Sequence, residues 1–464
     1  MKKIVLAGLI LLTPYLAKNL SAQVVSVNSL AALQEQINKA TPGTTIVVED
    51  GVYTTEKPVL IAQQGTAKKP VSITAATIGG VEIKGASGFV IARSASYIRI
   101  KGFKFTHEAG KTKIEAGANN CRITRNIFEC TGKGAYLTVS GNDNQIDHNT
   151  FQNKFTEGQM ISVQGPGSSE MAQRTWIHHN FFYNFKPTSN NCSSIQVGLS
   201  GRSLSPSHTL VEFNLFSETR GENENICNKS CDNIYRYNTF GDGVSELSLR
   251  HGNRCQVYGN FFLGSGGIRF FGRNHMIYCN YFERCAPAIN IGNGDGIIPP
   301  DKLVMHDRPD SVYVVFNILL NNKKNVIMQG RNNGLGATNI VFANNIIQGG
   351  NEAVKIDGTI QNPVWEGNLI WETEGIGNIP GEGYVVTDPK LKLDKSNGAH
   401  LSEDSPAIGK ATGSYPFIMF DIDGQIPGNK LNIGADQFHK KNKIVNHILS
   451  MEEVGPLATS DDIK

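Results

Sequence analysis

The sequence is poor in aromatic and charged side chains for a chain of 464 residues. Aromatic residues make up 8% and charged residues 18%, whereas glycine occurs 49 times. This composition argues against a helical bundle and favours many short strands joined by tight turns. The formal net charge is only +3, so the overall field does not indicate nucleic-acid binding. A polyanionic partner would have to be held by a local basic patch.

Two further absences bound the function. Eight cysteines are present, but no C-x-x-C pair faces a second pair at zinc-ligand spacing. The cysteines are compatible with an exported protein, and their disulfide connectivity is not readable from the sequence. A long apolar run is also lacking, because the N-terminal one, from Ile4 to Leu16, is too short for a membrane span.

The N-terminus has the pattern of a secretory signal peptide. Two lysines precede the apolar run, and small residues end at Ala22. We therefore expect residues 1–22 to be a signal peptide and the mature protein to be periplasmic or extracellular. A retained N-terminal anchor is the alternative.

An internal repeat organises most of the chain. Two or three alternating apolar residues are followed by Asn, any residue, and an apolar residue that is most often Phe or Ile. Successive spacings of the Asn include 23, 34, 24, 22, 20, 28 and 23 residues, and a period in the low twenties corresponds to one turn of a three-faced β-solenoid. The repeated residues are Asn126, Asn149, Asn180, Asn214, Asn238, Asn260, Asn280, Asn317, Asn345 and Asn368.

The repeated asparagines are expected to be structural. Asn tolerates the left-handed conformation needed at a corner, and stacked amides can bond from coil to coil. A short amphipathic helix beginning at Asn28 or Ser29, with Leu33 and Ile37 on its apolar face, is expected to cap the open end of the solenoid.

No linker separates domains. We predict an all-β, single-domain, right-handed parallel β-helix (solenoid) with an N-terminal capping helix. The predicted division is a signal peptide over 1–22, the β-helix over 23–440 and a polar C-terminal tail over 441–464. The tail is expected to pack loosely or to be disordered.

Three cations occupy similar places in three consecutive repeats. Lys229, Arg250 and Arg269 lie 9, 10 and 11 residues before the Asn of their own repeat. Like charges on adjacent strands repel one another, so their placement indicates an anionic partner. The alternative is that turns direct them into solvent.

Carboxylates accompany these cations. Glu222 and Glu224 lie two residues apart, so on a strand they project to one face. Asn214 of the preceding repeat could add an amide oxygen, and this set of hard oxygen ligands suits Ca²⁺. A pair of solvated surface glutamates is the alternative.

The stretch VEFNLF…GENENICNKS…SLRHG…GGIRFFGRNHMIYCNYFE resembles polysaccharide lyase family 6, which contains alginate lyases and chondroitinase B-type enzymes. The resemblance implies that Asn214, Glu222 and Glu224 bind calcium, that Lys229 is the Brønsted base and that Arg250 is the Brønsted acid. It also implies that the substrate-binding residues include His251, Arg269, Arg273 and His275.

The resemblance implies a secreted, calcium-dependent lyase that cleaves a uronic-acid polymer by β-elimination. Some chondroitinase-type relatives use a further Glu that has no counterpart in the stretch PPDKLVMHDRPD, so alginate is the expected substrate and dermatan sulfate the second candidate. In that insertion, His306 and Arg308 could touch substrate. A uronan C5-epimerase, a glycoside hydrolase and a non-catalytic polysaccharide-binding β-helix remain alternatives. We expect a monomer that binds no nucleic acid.

Overall fold

Short strands that recur at the repeat spacing align into three long sheets in the computed structural model. It describes residues 23–459 apart from 168, 188, 190, 222–223, 298–304 and 440–443. Most coils contribute one strand to sheet 1, one to sheet 2 and one to sheet 3, and these strands pair in parallel with their counterparts in the next coil. The predicted all-β parallel solenoid is therefore confirmed.

The strands of sheet 1, in spatial order, are Val24–Val27, Thr45–Val48, Val71–Ala75, Ile98–Lys101, Arg122–Thr124, Gln145–Asp147, Trp176–His178, Leu210–Glu212, Ile234–Arg236, Gln256–Tyr258, Met276–Tyr278, Tyr313–Val315, Val341–Ala343 and Val364–Glu366. Those of sheet 2 are Gly51–Thr55, Val81–Gly85, Phe103–Phe105, Ile127–Phe128, Thr150–Lys154, Phe181–Phe185, Leu215–Thr219, Thr239–Phe240, Phe261–Leu263, Tyr281–Glu283, Ile318–Leu320, Ile346–Gln348, Asn368–Trp371 and Tyr384–Val386.

The strands of sheet 3 are Val59–Ile61, Phe89–Ile91, Thr112–Ile114, Leu137–Val139, Ile161–Val163, Ile195–Gly198, Glu224–Lys229, Glu246–His251, Ile268–Phe270, Ile289–Ile291, Val326–Met328 and Val354–Ile356. Two small sheets add Ala337–Thr338 with Ile360–Gln361, and the antiparallel pair Leu391–Asp394 with Gly398–Leu401. The helices are α1, Leu30–Lys39, and the 3₁₀ turns Ser200–Arg202, Gly381–Gly383 and Met451–Glu453.

Inward side chains of equivalent positions stack along the axis of the solenoid. Phenylalanines of sheet 2 form one such column, with successive ring centroids 4.5 to 5.3 Å apart. Stacked rings bury large apolar areas in each coil, which is the main stabilising term of such a core. The column contains Phe105, Phe128, Phe151, Phe182, Phe216, Phe240, Phe262 and Phe282.

The repeated asparagines form a continuous ladder at the corner between sheets 1 and 2. From Asn126 to Asn345, each amide donates to Oδ1 of the next asparagine at 3.0 to 3.1 Å. All ten side chains are fully buried. The prediction that they are structural is confirmed.

One detail of that prediction was wrong. The left-handed residue at each corner is the one before the ladder asparagine, for example His148, Phe213 and Cys279, with φ near +50°. Asparagine thus keeps ordinary backbone geometry and aims its amide along the ladder. The corner itself accepts many residue types, which explains why it has no sequence signature.

The N-terminal cap agrees with the prediction. The side chain of Ser29 accepts a hydrogen bond from the backbone N–H of Ala32 at the start of α1. Leu33 and Ile37 are fully buried against the first coils, so the helix covers the apolar end of the solenoid.

The C-terminal segment folds back along the solenoid. Apolar residues such as Ile422 and Ala435 pack on outward side chains of sheets 1 and 2, forming a second apolar cluster. Farther along, the guanidinium of Arg125 donates to the carbonyls of Pro456 and Ala458. The expectation of a loosely packed tail is therefore wrong for residues 444–459, which we call the C-terminal strap.

The predicted signal peptide, residues 1–22, lies outside the described part of the chain. Among the described residues, no helix has the length and apolar character needed to cross a membrane. All eight cysteines are described; they are buried and none forms a disulfide.

Candidate active site

The predicted site residues lie on neighbouring strands of sheet 3. Leu247 and Leu249 are fully buried in the core. Since side chains alternate along a strand, Glu246, Ser248 and Arg250 project to the outer face of the solenoid. The strands that carry the site are Glu224–Lys229, Glu246–His251 and Ile268–Phe270.

Glu224 is the carboxylate on which the cations converge. Its Oε1 accepts hydrogen bonds from Nη1 of Arg250 at 3.2 Å and from Nη2 of Arg269 at 2.5 Å. The side chain is only 3% exposed. Burial by itself raises the pKa of Glu224, but Arg269, Arg250 and Lys229 outweigh it and hold that pKa below its usual value. Glu224 is therefore ionised at neutral pH.

The three cations gather around Glu224 without stacking on one another. In the register of sheet 3, Lys229 lies opposite His251 and Arg269 lies opposite Ser248. A bulge between the first two site strands shifts their pairing. The prediction that the cations occupy equivalent places is therefore corrected, because the intervening carboxylate and the bulge keep like charges apart.

Lys229 lies at the C-terminal end of its strand and is partly exposed. Its Nζ lies 3.4 Å from Oε1 of Gln196, which is on the outer face of the preceding coil. This contact holds the amine at the surface of sheet 3. Gln196 has no signal in the sequence, because it precedes the recognisable motif by a whole coil.

His251 ends the strand Glu246–His251 of sheet 3, and only 3% of the residue is exposed. Burial, reinforced by His306, Arg250 and Lys229, lowers the pKa of His251 to about 3, so the ring is neutral at neutral pH. Its ring centroid is 5.7 Å from that of His306, which belongs to the insertion before residue 311. The ring centroid of His306 is also 4.6 Å from that of Phe271, so His306 borders one side of the site.

Arg273 is ion-paired within the protein. Its Nε and Nη2 lie 3.1 and 3.3 Å from the carboxylate of Asp307, and the side chain of Asp307 is only 6% exposed. The pair anchors Asp307 to the solenoid. Its predicted role in substrate binding stays a prediction.

His275 does not lie in the cleft, a name we give to the outer face of sheet 3 around Glu224, and the prediction that it binds substrate is wrong. The ring is fully buried; Nδ1 accepts from the backbone N–H of Cys255, and Nε2 donates to the carbonyl of Phe271. Asn144 and Asn233 accept from the backbone in the same way in earlier coils. His275 therefore belongs to a second ladder, at the corner between sheets 3 and 1.

The predicted role of Asn214 is also wrong. Its Oδ1 accepts two hydrogen bonds from Asn180, and its amide donates to Asn238. The residue is fully buried at the corner between sheets 1 and 2, so its prediction as a calcium ligand is corrected to a ladder position. Glu222, the other predicted ligand, lies outside the described residues.

Comparison with known proteins identifies the family. The sequence model of the chondroitinase B family matches residues 27–323, which include every strand of the site. The chain belongs to the chondroitinase B family. A search of curated protein sequences finds no match.

Solved structures of polysaccharide lyase family 6 are similar to this chondroitinase B family chain. A variant of the alginate lyase AlyGC has 25% identity and a TM-score of 0.71, covering 82% of this chain. This chain spans 55% of that protein. A mannuronic acid-specific lyase from human gut microbiota has 23% identity and a TM-score of 0.70, covering 79% of this chain and 91% of its own.

A third structure, an alginate lyase in complex with a trisaccharide, has 20% identity and a TM-score of 0.65, covering 80% of this chain and 90% of its own. Together with the family match, the similarity to AlyGC confirms the predicted resemblance to polysaccharide lyase family 6. The two structures with lower identity add support for the fold.

Glu246 is a further carboxylate of this site that the sequence patterns did not indicate. Glu246 is 7% exposed and lies opposite Glu224 in the register of sheet 3. Burial raises the pKa of Glu246, against the opposing effect of Arg269. Its Oε1 accepts from the amide of Asn290 at 3.2 Å, and Oε2 lies 3.5 Å from Nε of Arg269. The alternation of SELSLRH on a strand could have placed Glu246 on the outer face.

The donor chemistry of this face fits a hard divalent cation. Glu224 and Glu246 are buried carboxylates on adjacent strands, and carboxylate oxygen is the preferred donor for Ca²⁺. Two buried carboxylates in register repel each other unless a cation lies between them. In this structure Arg269 occupies that position, with contacts to both.

A separate group of carboxylates lies in the C-terminal segment. Asp421, Asp423 and Asp436 are buried and offer oxygen atoms within 4.8 Å of one another. Burial, with mutual repulsion, raises the pKa of Asp421 to about 7 and that of Asp436 to about 6. Nε2 of His400 lies 2.9 Å from Oδ1 of Asp423.

Proposed function

We propose that this chondroitinase B family member is an exported, calcium-dependent polysaccharide lyase that cleaves alginate by β-elimination. The convergence of Lys229, Arg250 and Arg269 around one buried carboxylate, on the outer face of consecutive coils, carries the proposal. Such a face can hold a polyanion although the chain is nearly neutral, because the cations act locally. The family match and the similarity to AlyGC support lyase chemistry.

In the proposed reaction, Lys229 is the base. Its amine, in the uncharged form, takes the proton from C5 of a uronate that lies on the outer face of sheet 3. The electron pair of that C–H bond forms the C4–C5 double bond, and the bond from C4 to the glycosidic oxygen breaks. Gln196 holds the Lys229 side chain at the face, through the 3.4 Å contact.

Arg250 is assigned to the departing oxygen. Its guanidinium is bonded to Glu224 and is 31% exposed, so its exposed part faces the place where the substrate would lie. A proton reaches the oxygen from the guanidinium or from a water that the guanidinium orients, since arginine keeps its own proton strongly. Arg250 and Arg269 also lower the energy of the negative charge that develops on the substrate.

Calcium, when bound at the Glu224 carboxylate, would neutralise the uronate carboxylate and make the C5 proton more acidic. His251 contributes a neutral ring to the floor beside Arg250 and Lys229. The ring contributes no charge of its own.

Alginate is the proposed substrate because three of the similar structures are alginate-cleaving or mannuronic acid-specific lyases. Dermatan sulfate is the second candidate, because the matching family is named for chondroitinase B. The predicted signal peptide supports export to the periplasm or beyond, and we propose a monomer.

The test is to incubate the purified protein with polymannuronate, polyguluronate and dermatan sulfate, each with Ca²⁺ and with a chelator, and to follow absorbance from unsaturated uronates. Calcium-dependent product from alginate blocks is expected. If product forms only from dermatan sulfate, dermatan sulfate and not alginate is the substrate. Inversion at C5 without an unsaturated product would indicate an epimerase. Binding without any turnover would contradict catalysis.

A further inference from the structure

Arg269 contacts two carboxylates at once. Its Nη2 is 2.5 Å from Oε1 of Glu224, and its Nε is 3.5 Å from Oε2 of Glu246. Both N–H groups also lie 3.1 Å from Oγ of Ser248, the residue directly opposite in the register. One guanidinium therefore bridges two buried carboxylates of adjacent strands.

The two carboxylates differ in what else they contact. Oε1 of Glu224 accepts from Arg250 as well as Arg269, whereas Glu246 is fixed from the opposite side by the amide of Asn290 at 3.2 Å. Asn290 belongs to the coil after Arg269. Glu246 is therefore held in place by a neutral donor, independently of the arginines.

We infer that Glu246 is a positioning residue that holds Arg269 when Glu224 binds a cation, an inference that rests on the calcium step of the proposed function. A cation on Glu224 competes with Arg269 for the same carboxylate. If the guanidinium of Arg269 is released from Glu224, Ser248 and Glu246 are still within its reach. Arg269 can thus rotate toward Glu246 and remain on the outer face, instead of leaving a buried charge unpaired.

This exchange predicts that Glu246 strengthens calcium binding through Arg269. In Glu246→Gln, Arg269 loses its second carboxylate and competes more strongly for Glu224. We expect the dissociation constant for Ca²⁺, measured by isothermal titration calorimetry without substrate, to rise about tenfold. The matched control is Glu283→Gln, because Glu283 lies on sheet 2 and bonds to Tyr281; its calcium affinity should equal that of the wild type.

A double-mutant cycle distinguishes positioning from the simple loss of a negative charge. In the Arg269→Met background the competitor is absent, so Ca²⁺ should bind more tightly than in the wild type. Adding Glu246→Gln to that background should change the dissociation constant less than twofold. A tenfold loss that persists without Arg269 would overturn the inference in favour of a field effect or direct ligation by Glu246.

The other outcomes are equally decisive. An unchanged calcium affinity in Glu246→Gln would overturn this inference and leave the proposed function intact. Absence of calcium binding by the wild-type protein would overturn the calcium step itself, and the inference with it. The calcium-induced shift of the melting temperature provides a second readout that does not depend on turnover.

Discussion

Neighbouring coils carry the same residue at the corner between sheets 1 and 2, whereas on the outer face of sheet 3 they carry different ones. Asn238 lies between two other asparagines and bonds to both. At the level of Arg269 on sheet 3, the flanking coils present Ser248 and Asn290. Where the same residue repeats, its side chains satisfy one another's hydrogen bonds along the axis. Where the residues differ, charged side chains can be placed, and each must be balanced by a partner from another coil.

The comparison also applies to buried carboxylates. Glu224 has three cations around it and its pKa is lowered despite burial. Asp421 and Asp436, in the C-terminal segment, face mainly each other and Asp423, and burial raises their pKa values. The same chemical group is thus ionised in the cleft and partly protonated at neutral pH in the segment.

Replacing Lys229 should give the largest effect, on the reaction and not on the fold. Lys229→Met removes the proposed base, and we expect the rate of product formation to fall about a thousandfold. The free energy of unfolding should change by less than about 1 kcal/mol, because the amine is partly exposed and its contact with Gln196 is long, at 3.4 Å. The measurement is the ratio of the variant to the wild-type absorbance change from unsaturated uronates under identical conditions. Near-wild-type turnover would refute the assignment.

Replacing a ladder asparagine should destabilise the fold and leave the reaction rate of the folded protein unchanged. Asn238→Ala removes an amide that donates to two carbonyls and to Asn260, leaving several buried groups without partners. We expect the free energy of unfolding to fall by about 4 kcal/mol, while the rate per folded molecule stays unchanged. Denaturant unfolding measures the loss, and Asn351→Ala, at an exposed position, is the control.

The contrast between carboxylates can be measured by pH. The pKa of Asp436 is raised to about 6 in the fold but is near 3.9 in an unfolded chain, so the folded state binds more protons between these values. Its contribution to stability therefore falls as pH rises from about 4 to about 6, by on the order of 2 kcal/mol. Asp436→Asn should flatten that decline in unfolding titrations; an unaltered slope would contradict the assignment.

His275 tests whether the second ladder is structural. Since Asn144 and Asn233 accept the same type of backbone hydrogen bond in earlier coils, His275→Asn should cost less than about 1 kcal/mol and should leave turnover within twofold. A large loss of substrate affinity, measured as a rise in KM with an unchanged melting temperature, would restore His275 to the cleft.

The smallest effect is expected at Arg254. Its ion pair with Asp232 is close to the site in sequence, but the arginine side chain is 51% exposed. Arg254→Ala should lower the free energy of unfolding by about 0.5 kcal/mol at most and leave calcium binding unaltered. A tenfold loss of activity would show that the cationic face extends beyond the three site strands.

The repeat allowed the solenoid to be predicted, because each coil must present the same corner to its neighbours. It did not allow the cleft to be predicted in the same detail. Counting from the ladder placed Lys229, Arg250 and Arg269 in similar positions, but the bulge in sheet 3 changed their register. Turn lengths and bulges are set by local backbone geometry, which leaves little trace in residue spacing.

The individual errors have the same physical origin. Asn214 and His275 were judged by residue type and proximity in sequence to the motif, whereas their places in the two ladders decide what their side chains contact. Glu246 was missed because its partners, Arg269 and Asn290, come from later coils. Contacts between coils are long-range in sequence, and a single sequence shows them only where the residues repeat.

The C-terminal strap changes how this solenoid can come apart. Coils that touch only their neighbours can fray one at a time from an open end. Here the strap is held by Thr239, Gly259 and Arg125, which belong to coils far from the end of the helix. The last coils cannot separate from the rest unless the strap also leaves these earlier coils. The strap therefore couples distant coils of a linear stack and makes the unfolding of the coils more nearly all-or-none.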